Sequence, residues 1–354
     1  MSIFAVLKPN LVMTDVEEIF ITVAQNRGHE AYVFVAKNVD FERRKIFGRT
    51  IENGRIVEKE FDFPDVVQNR LAVKAEDKET YLKLAEMIPF STNRVGTKKQ
   101  VEQRLKRIPE LEKFLIEVED CKDLETIEKY LDKYPKIILK PLASNQGKGI
   151  YSIEQNSGKY ILKKFDEEQN IDQQQLKEFF NEHIKNRNYS ISPFFRSEAV
   201  NKQTTVFRMH LTRGAGGRWQ MIKFFPYVNI NPNVDITNGM QGALITTREK
   251  LFLEQNYPTC HNDIQQSIRE LFKIFPTAFQ KLYAWRLDAL GLDLGIDQEG
   301  NIGIFEVNAG PGIGFMAYPV AKAQVEYYEW LKDAAKPPFN NYFLPIHLRD
   351  RKAS

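Results

Sequence analysis

The stretch I-F-E-V-N-A-G-P-G-I-G, residues 304–314, places Glu306 and Asn308 inside a strand-like apolar run and then breaks into Gly310, Pro311, Gly312 and Gly314. A carboxylate in such a run is costly unless it is paired, hydrogen-bonded or bound to a cation, so any fold of this chain must give Glu306 a partner. The preceding segment offers one. G-L-D-L-G-I and N-I-G-I-F-E-V-N flank D-Q-E-G, the pattern of an antiparallel hairpin. With an even loop of two or four residues, Asp293 falls opposite Ile304, and Glu306, two positions on, shares its face with Asn308. Leu292, Leu294, Phe305 and Val307 then point the other way, toward a core. One hairpin face is therefore acidic, and its diagonal neighbours lie roughly 7–8 Å apart, a span that a pair of Mg²⁺ ions with oxygen ligands bridges. An odd loop would separate the two carboxylates. A solvent-facing polar strand is the competing explanation; Ile304 among the acids and the glycine-rich continuation weigh against it.

The rest of the chain bounds the setting. Its 354 residues, 42% apolar and 27% charged, are enough for two or three packed domains. The formal charge of +3 is small, and the basic clusters (Arg43 to Lys45, Lys98 and Lys99, Arg104 to Arg107) are interleaved with acids or apolar residues. That interleaving favours solvated surface over a polyanion site, so no nucleic-acid partner is expected. Cys121 and Cys260 are far apart and lack metal-ligand spacing, which fits a reducing cytoplasm better than a disulfide scaffold or zinc site. No stretch approaches the roughly 18 apolar residues of a membrane span, and the N-terminal run is too short for a signal peptide.

S-I-F-A-V-L-K-P reads as a strand, Thr14 and Glu17 as the capping box of a helix ending near Gly28, and A-Y-V-F-V-A-K as a second strand. Asn53-Gly54 between alternating runs marks a hairpin, and F-P-D-V-V-Q-N-R a further short strand. We therefore expect a small α/β domain over residues 1–88. A charged helical bridge over 91–132, capped by Ser91 or Thr97, leads to the strand K-I-I-L-K-P-L. A strand pair turning at 156–158 and a helix from about 172 to 186 come next. The domains expected are 1–88, a first lobe over 89–190, a second lobe over 191–335 and a tail over 336–354.

Three further constellations carry charge. In I-I-L-K-P-L-A-S-N-Q-G-K-G-I a β-branched run delivers Lys140 to a strand end, and Gly147 and Gly149 let backbone N–H groups approach phosphate oxygens, although a plain turn reads equally well. This is neither a Walker A loop nor G-x-G-x-x-G, since no G-K-[ST] or following helix is present. V-G-T-K-K-Q-V supplies Lys98 and Lys99, by themselves an ordinary solvated helix start. On T-T-V-F-R-M-H-L-T-R, Arg208 and His210 share a face; alone they read as an edge charge and a packed side chain, but near phosphates a planar guanidinium suits phosphoryl transfer.

Taken together, L-K-P-L-A-S-N-Q-G-K-G-I, F-R-M-H-L and L-G-L-D-L-G-I-D-Q-E-G-N-I-G-I-F-E-V-N-A-G-P-G resemble the ATP-grasp enzymes, and within them the YheC/YheD-like group associated with the endospore coat. P-D-V-V-Q-N-R and S-T-N-R-V-G-T-K-K extend the resemblance over most of residues 1–330, and the D-x12-E-x-N spacing is its most specific part. The resemblance implies an ATP-grasp fold, two α+β lobes clasping ATP behind a small α/β domain. It implies Asp293, Glu306 and Asn308 as ligands of Mg²⁺, two ions in the wider superfamily that includes D-alanine–D-alanine ligase. Lys140 contacts the phosphates by the same analogy, with Lys98 ahead of Lys99 as the second lysine and Arg208 beside the transferred group. Ser144, Gln146, Gly147, Lys148 and Gly149 form the phosphate loop, and Ser192, Phe194 and Phe195 the adenine hinge, where Pro193 removes one N–H donor. W-R-L-D mimics an R-x-D arrangement through Arg286 and Asp288, but Asp293 keeps the hairpin register. The activity implied is ATP-dependent joining of a carboxylate to an amine of an amino acid or peptide through an acyl phosphate. A phosphotransferase or a non-catalytic spore coat component are the competing readings, and the implied location is the cytoplasm or the spore.

Overall fold

The computed structural model describes residues 1–354 except 71–72, 143–148, 157, 165–166, 230, 232–242 and 340–354. Strand β1 (Ile3–Leu7) leads to helix α1 (Asp15–Asn26), whose capping Glu17 carboxylate accepts from the Thr14 amide at 2.9 Å and pairs with Lys8 at 2.8 Å. Strand β2 (Glu30–Phe34) then runs parallel to β1. After β3 (Val39–Asp40), the hairpin of β4 (Lys45–Glu52) and β5 (Arg55–Asp62) turns on Asn53 and Gly54, at φ of 52° and 73°. Both positive angles belong to the tight turn for which Asn-Gly is suited. Strand β6 (Val66–Asn69), helix α2 (Lys78–Met87) and strand β7 (Phe90–Ser91) complete a sheet of order β3-β4-β2-β1-β6-β7, with β5 beside β4. This sheet thus reaches two strand residues past the expected boundary at 88.

The bridge after β7 departs from expectation in its packing. Helix α3 (Lys98–Leu105) and the 3-10 turn Pro109–Phe114 bury Val101, Leu105, Leu111 and Phe114 in the core of the last sheet, against Leu292, Ile304 and Val307. The middle sheet holds β8 (Glu119–Cys121), β9 (Lys136–Pro141), β10 (Tyr151–Asn156), β11 (Lys159–Lys164), β12 (Glu167–Ile171) and β13 (Tyr189–Pro193), in order β12-β11-β10-β9-β13-β8. Helices α4 (Leu124–Lys133) and α5 (Gln173–Phe179) cover one face, on Leu139, Ile153 and Ile191. Alternation along β9 leaves Lys140 on the other face.

The last sheet is antiparallel: β14 (Thr205–Arg213), β15 (Trp219–Val228), β16 (Leu244–Ile245), β17 (Ala289–Ile296) and β18 (Ile302–Ala309), in order β16-β15-β14-β17-β18. After helix α6 (Glu249–Asn256), helix α7 (His261–Gln280) lays Ile264, Ile268, Leu271 and Phe275 on Phe207, Met209, Leu290 and Leu292. The opposite face carries the alternate residues Arg208, His210, Thr212 and Asp293. Helix α8 (Ala317–Ala334) then returns to the first sheet, packing Ala321, Val325, Tyr328 and Leu331 on Phe4, Val6, Phe20 and Val33. Among the described residues no helix is long and apolar enough to cross a membrane.

Two hydrogen bonds, one buried and one partly buried, help fasten the first sheet to the C-terminal third of the chain. The Thr92 amide donates to Asp288 at 2.7 Å, and Ser91 donates its hydroxyl proton to Tyr328 Oη at 2.7 Å. Tyr328→Phe leaves the Ser91 hydroxyl buried without its acceptor, so it lowers unfolding stability by about 1–3 kcal/mol. Urea denaturation of the two proteins measures this, and an unchanged midpoint would show that Ser91 finds another partner.

Candidate active site

The acidic face forms, but not by the register expected. Ile296 pairs with Ile302 and Leu294 with Ile304, which makes the connecting loop five residues, 297–301, an odd number. The Asp297 side chain fixes this loop by accepting from the amides of Glu299 at 3.1 Å and Asn301 at 2.8 Å. An odd loop alone would set the carboxylates on opposite faces. A β-bulge between Asp293 and Leu294 inserts one residue, Phe305, and brings Asp293 directly opposite Glu306 and Gly291 opposite Asn308. The expected Asp293–Ile304 pairing is therefore replaced, and the two neighbours exchange roles. Ile304 joins the core, whereas Phe305 turns to the polar side, its ring 5.8 Å from that of Phe195 and 5.3 Å from Lys140 Nζ.

Arg208 lies opposite Asp293 on the neighbouring strand, so three adjacent strands carry the ladder Arg208, Asp293, Glu306. The guanidinium grips Asp293 with both Nε (2.5 Å) and Nη2 (3.0 Å), and Asn308 Nδ2 donates to Asp293 Oδ2 at 3.4 Å. Burial pushes the Asp293 carboxyl above its ordinary range, with Arg208 pulling against it. Glu306 receives Lys98 Nζ at 3.4 Å from the start of α3, where Thr97 caps the helix. Lys99 turns away to Asp120 at 2.5 Å, so Lys98 is the lysine that reaches Glu306. Lys140 arrives from the middle sheet. Burial pushes its amine down to about 8; Glu306 opposes this shift and Lys98 adds to it.

The donors suit a hard cation. Asp293, Glu306 and Asn308 offer oxygens only, and no group of three His, Cys, Asp or Glu that could hold a metal occurs among the described residues. Two carboxylates and an amide fit Mg²⁺, which keeps waters and shares its shell with substrate phosphates.

The segment expected to form the adenine hinge continues the middle sheet. Ser192 is buried and pairs with Ile138, and the Phe194 amide donates to the Lys136 carbonyl at 3.0 Å, so that N–H is committed to the ladder. Lys136 Nζ lies 4.4 Å from the centre of the Phe194 ring. Phe195 lies over Gly295 and Gly303, where an added Cβ would come within 2.8 and 3.0 Å of its ring. Sequence reading missed this edge-to-face Phe195–Phe305 pair; its signal was a glycine at each of two facing positions on a hairpin otherwise rich in branched residues. Gly149 has a φ of 74° and accepts from Tyr189 Oη at 2.9 Å; Ser144, Gln146, Gly147 and Lys148 lie outside the described residues. Arg286 points away, its guanidinium 5.0 Å from the Trp330 ring, and Asp288 is buried at the Thr92 amide with its carboxyl pushed up to about 6. Asp293, rather than Asp288, therefore meets Glu306. His210 is fully buried, its imidazole pushed down to about 4 by burial and by Arg208 and Arg70, and so stays neutral.

The family model for YheC/D-like ATP-grasp proteins matches residues 87–331. Over 345 residues the chain is 24% identical to the endospore coat-associated protein YheD of Bacillus subtilis (strain 168), covering 89% of this chain and 73% of the relative. Among solved structures, a Chryseobacterium gregarium RiPP-associated ATP-grasp ligase, in complex with ADP and a leader and core peptide, aligns with a TM-score of 0.52 at 10% identity over 98% of this chain and all of that one. The ATP-grasp ligase PsnB, complexed with a precursor variant, Mg and ADP, gives 0.51 at 13% over 92% and 98%. N5-carboxyaminoimidazole synthetase of Staphylococcus aureus with ADP gives 0.51 at 10% over 96% and 79%. The fold is that of ATP-grasp ligases, and the chain belongs to the YheC/D-like ATP-grasp family.

Proposed function

We propose that this protein is an ATP- and Mg²⁺-dependent ligase that joins a carboxylate to an amine, with a peptide or amino acid as substrate. The observation that carries this reading is the Arg208, Asp293, Glu306 ladder facing Lys98 and Lys140. Two carboxylates held by Arg208 and Lys98 beside one further ammonium group, Lys140, form a place for a metal-bound polyphosphate, and this arrangement has no structural purpose that apolar residues would not serve better. Two of the aligned ligases are complexed with leader, core or precursor peptides, which supports the substrate class.

Asp293, Glu306 and Asn308 would hold Mg²⁺, which when bound offsets negative charge on the phosphates. Lys140 and Lys98 come from different elements to the same space beside Glu306, where their charges orient the β- and γ-phosphates. The edge-to-face Phe195–Phe305 pair and the Lys136–Phe194 contact line the side expected for the base. A substrate carboxylate oxygen takes the γ-phosphoryl group and ADP leaves; the amine then attacks the acyl carbon, inorganic phosphate departs and the amine proton is lost. Arg208, braced by Asp293, stabilises the charge that builds at the transferred group. No side-chain nucleophile enters this scheme. Incubation of the protein with ATP, Mg²⁺ and panels of peptides and amino acids, followed by mass spectrometry, tests it: the account predicts a product lighter by one water than its two reactants, and a phosphorylated product without amide would instead make the protein a phosphotransferase.

Two variants separate the roles. Arg208→Ala lowers kcat for ADP formation by about 100-fold, the scale of one lost electrostatic donor, with little change in ATP affinity, and Arg208→Lys restores little because an ammonium lacks the planar fork. Wild-type turnover in either variant would remove Arg208 from the site. Lys140, with its amine near 8, binds phosphate as the ammonium, so MgATP affinity measured by calorimetry falls as pH rises past 8, by at most about tenfold per unit. Lys140→Arg stays charged and flattens this profile. A flat wild-type profile between pH 7 and about 9.5 would place Lys140 away from the phosphates.

A further inference from the structure

The ends of β6 and β7 meet the polar face of β14 in a seam beyond the acid ladder. Gln68 pairs in register with Ser91, which sets Arg70 and Asn93 at neighbouring strand ends. Thr92 caps Asp288 through its amide, and its methyl lies 2.6 Å from where a Cβ on Gly310 would fall. Across the seam, His210 and Thr212 follow Arg208 on one strand face, opposite Gly291 and Ala289. Among the described residues, six of these side chains hold a buried nitrogen or oxygen without a hydrogen-bond partner: Gln68 Nε2, Arg70 Nε, Thr92 Oγ1, Asn93 Oδ1, both ring nitrogens of His210, and Thr212 Oγ1. Native folds leave few such atoms, so their concentration in one seam points to a ligand.

Their chemistry defines the ligand. Arg70 and Gln68 donate, the Thr92 and Thr212 hydroxyls donate or accept, and Asn93 Oδ1 and one His210 nitrogen accept. The buried acid nearby, Asp288, is already engaged by the Thr92 amide. Arg70 makes no ion pair among the described residues, and it acts on Asp288 together with Arg213, so two guanidiniums face one acid and favour a further anion; the acceptors call for an N–H beside it, and an amino-acid or peptide carboxylate has both. Position supplies the link to the reaction. Arg208 binds Asp293 through Nε and Nη2, whereas its Nη1 lies 3.2 Å from where a Cβ on Gly291 would stand, directly across from His210. Arg70 is half-buried, at one end of the seam.

We propose that this seam is the pocket for the carboxylate substrate, an amino-acid or peptide carboxylate recognised by Arg70, Gln68 and His210 and handed to Arg208 for phosphorylation. This rests on the proposed ligase activity, and the experiment separates the two. The full-length protein, without nucleotide, is titrated by calorimetry with N-acetyl-L-aspartate, N-acetyl-L-glutamate, L-glutamate and L-alanyl-L-glutamate, and then with MgATP. At least one carboxylate binds, Arg70→Ala and His210→Gln each weaken it by about tenfold or more, the worth of a charge-assisted hydrogen bond, and MgATP binding stays as in wild type. Because either variant could disturb the seam's packing, wild-type protein labelled with ¹⁵N-histidine provides a second reading, in which the bound carboxylate shifts the His210 ring nitrogens. Absence of binding by every probe, unchanged affinity in both variants, or an unmoved His210 signal would overturn the pocket and leave water as the partner of these groups. Carboxylate binding without ADP formation on addition of ATP would sink the ligase reading and keep the pocket; carboxylate-stimulated ADP formation with an unchanged KM in Arg70→Ala would do the reverse.

Discussion

Two carboxylates directly opposite each other on neighbouring strands repel, and a sheet accepts them only when cations are built around them. Asp293 and Glu306 are such a pair, and the surrounding elements answer to it. Arg208 meets Asp293 from β14 with a bidentate grip, Lys98 meets Glu306 from the first turn of α3, and Lys140 comes from a different sheet. Each cation needs its own element in place, which explains why α3 packs on the core of the last sheet: Val101 and Leu105 anchor the helix there, and its N-terminal lysine then reaches the acids.

The pair also depends on a local irregularity. Without the bulge at Phe305, the five-residue loop would turn Glu306 into the apolar core beside Leu292, where it could not stay charged. The same bulge moves Phe305 onto the polar side, where Gly295 and Gly303 leave room for it and Phe195. A single inserted residue thus builds both the acidic face and an aromatic wall beside it, in keeping with the frequent placement of bulges next to functional sites.

Much of this was legible in the chain itself. The Thr14 capping box, the Asn53-Gly54 turn, the strands around Lys140 and Arg208, and the grouping of Asp293, Glu306 and Asn308 arise from local periodicity and turn chemistry, which act over a few residues. The features that escaped were non-local or depended on an odd count. The Asp297 side chain decides the loop length and the bulge corrects for it, so the face of the acids was anticipated while Ile304 and Phe305 were interchanged. The packing of α3 and the docking of α8 on the first sheet depend on tertiary contacts between distant segments, such as Ser91 with Tyr328, that no pattern along the chain encodes. The Gln68, Arg70 and His210 seam is of the same kind: its members lie far apart in sequence, and alternation alone marks His210 as an ordinary buried side chain.

On the proposed ligase reading Glu306 holds a cation with ATP, at a cost in electrostatic repulsion that the fold must bear. The most direct measurement is Mg²⁺-dependent ADP formation by Glu306→Gln beside its urea midpoint. The substitution is nearly isosteric and removes one hard anionic ligand together with the repulsion toward Asp293. The account predicts loss of ADP formation with a midpoint equal to or slightly above that of wild type. Wild-type ADP formation in this variant would contradict it, and so would loss of activity that merely follows loss of the fold.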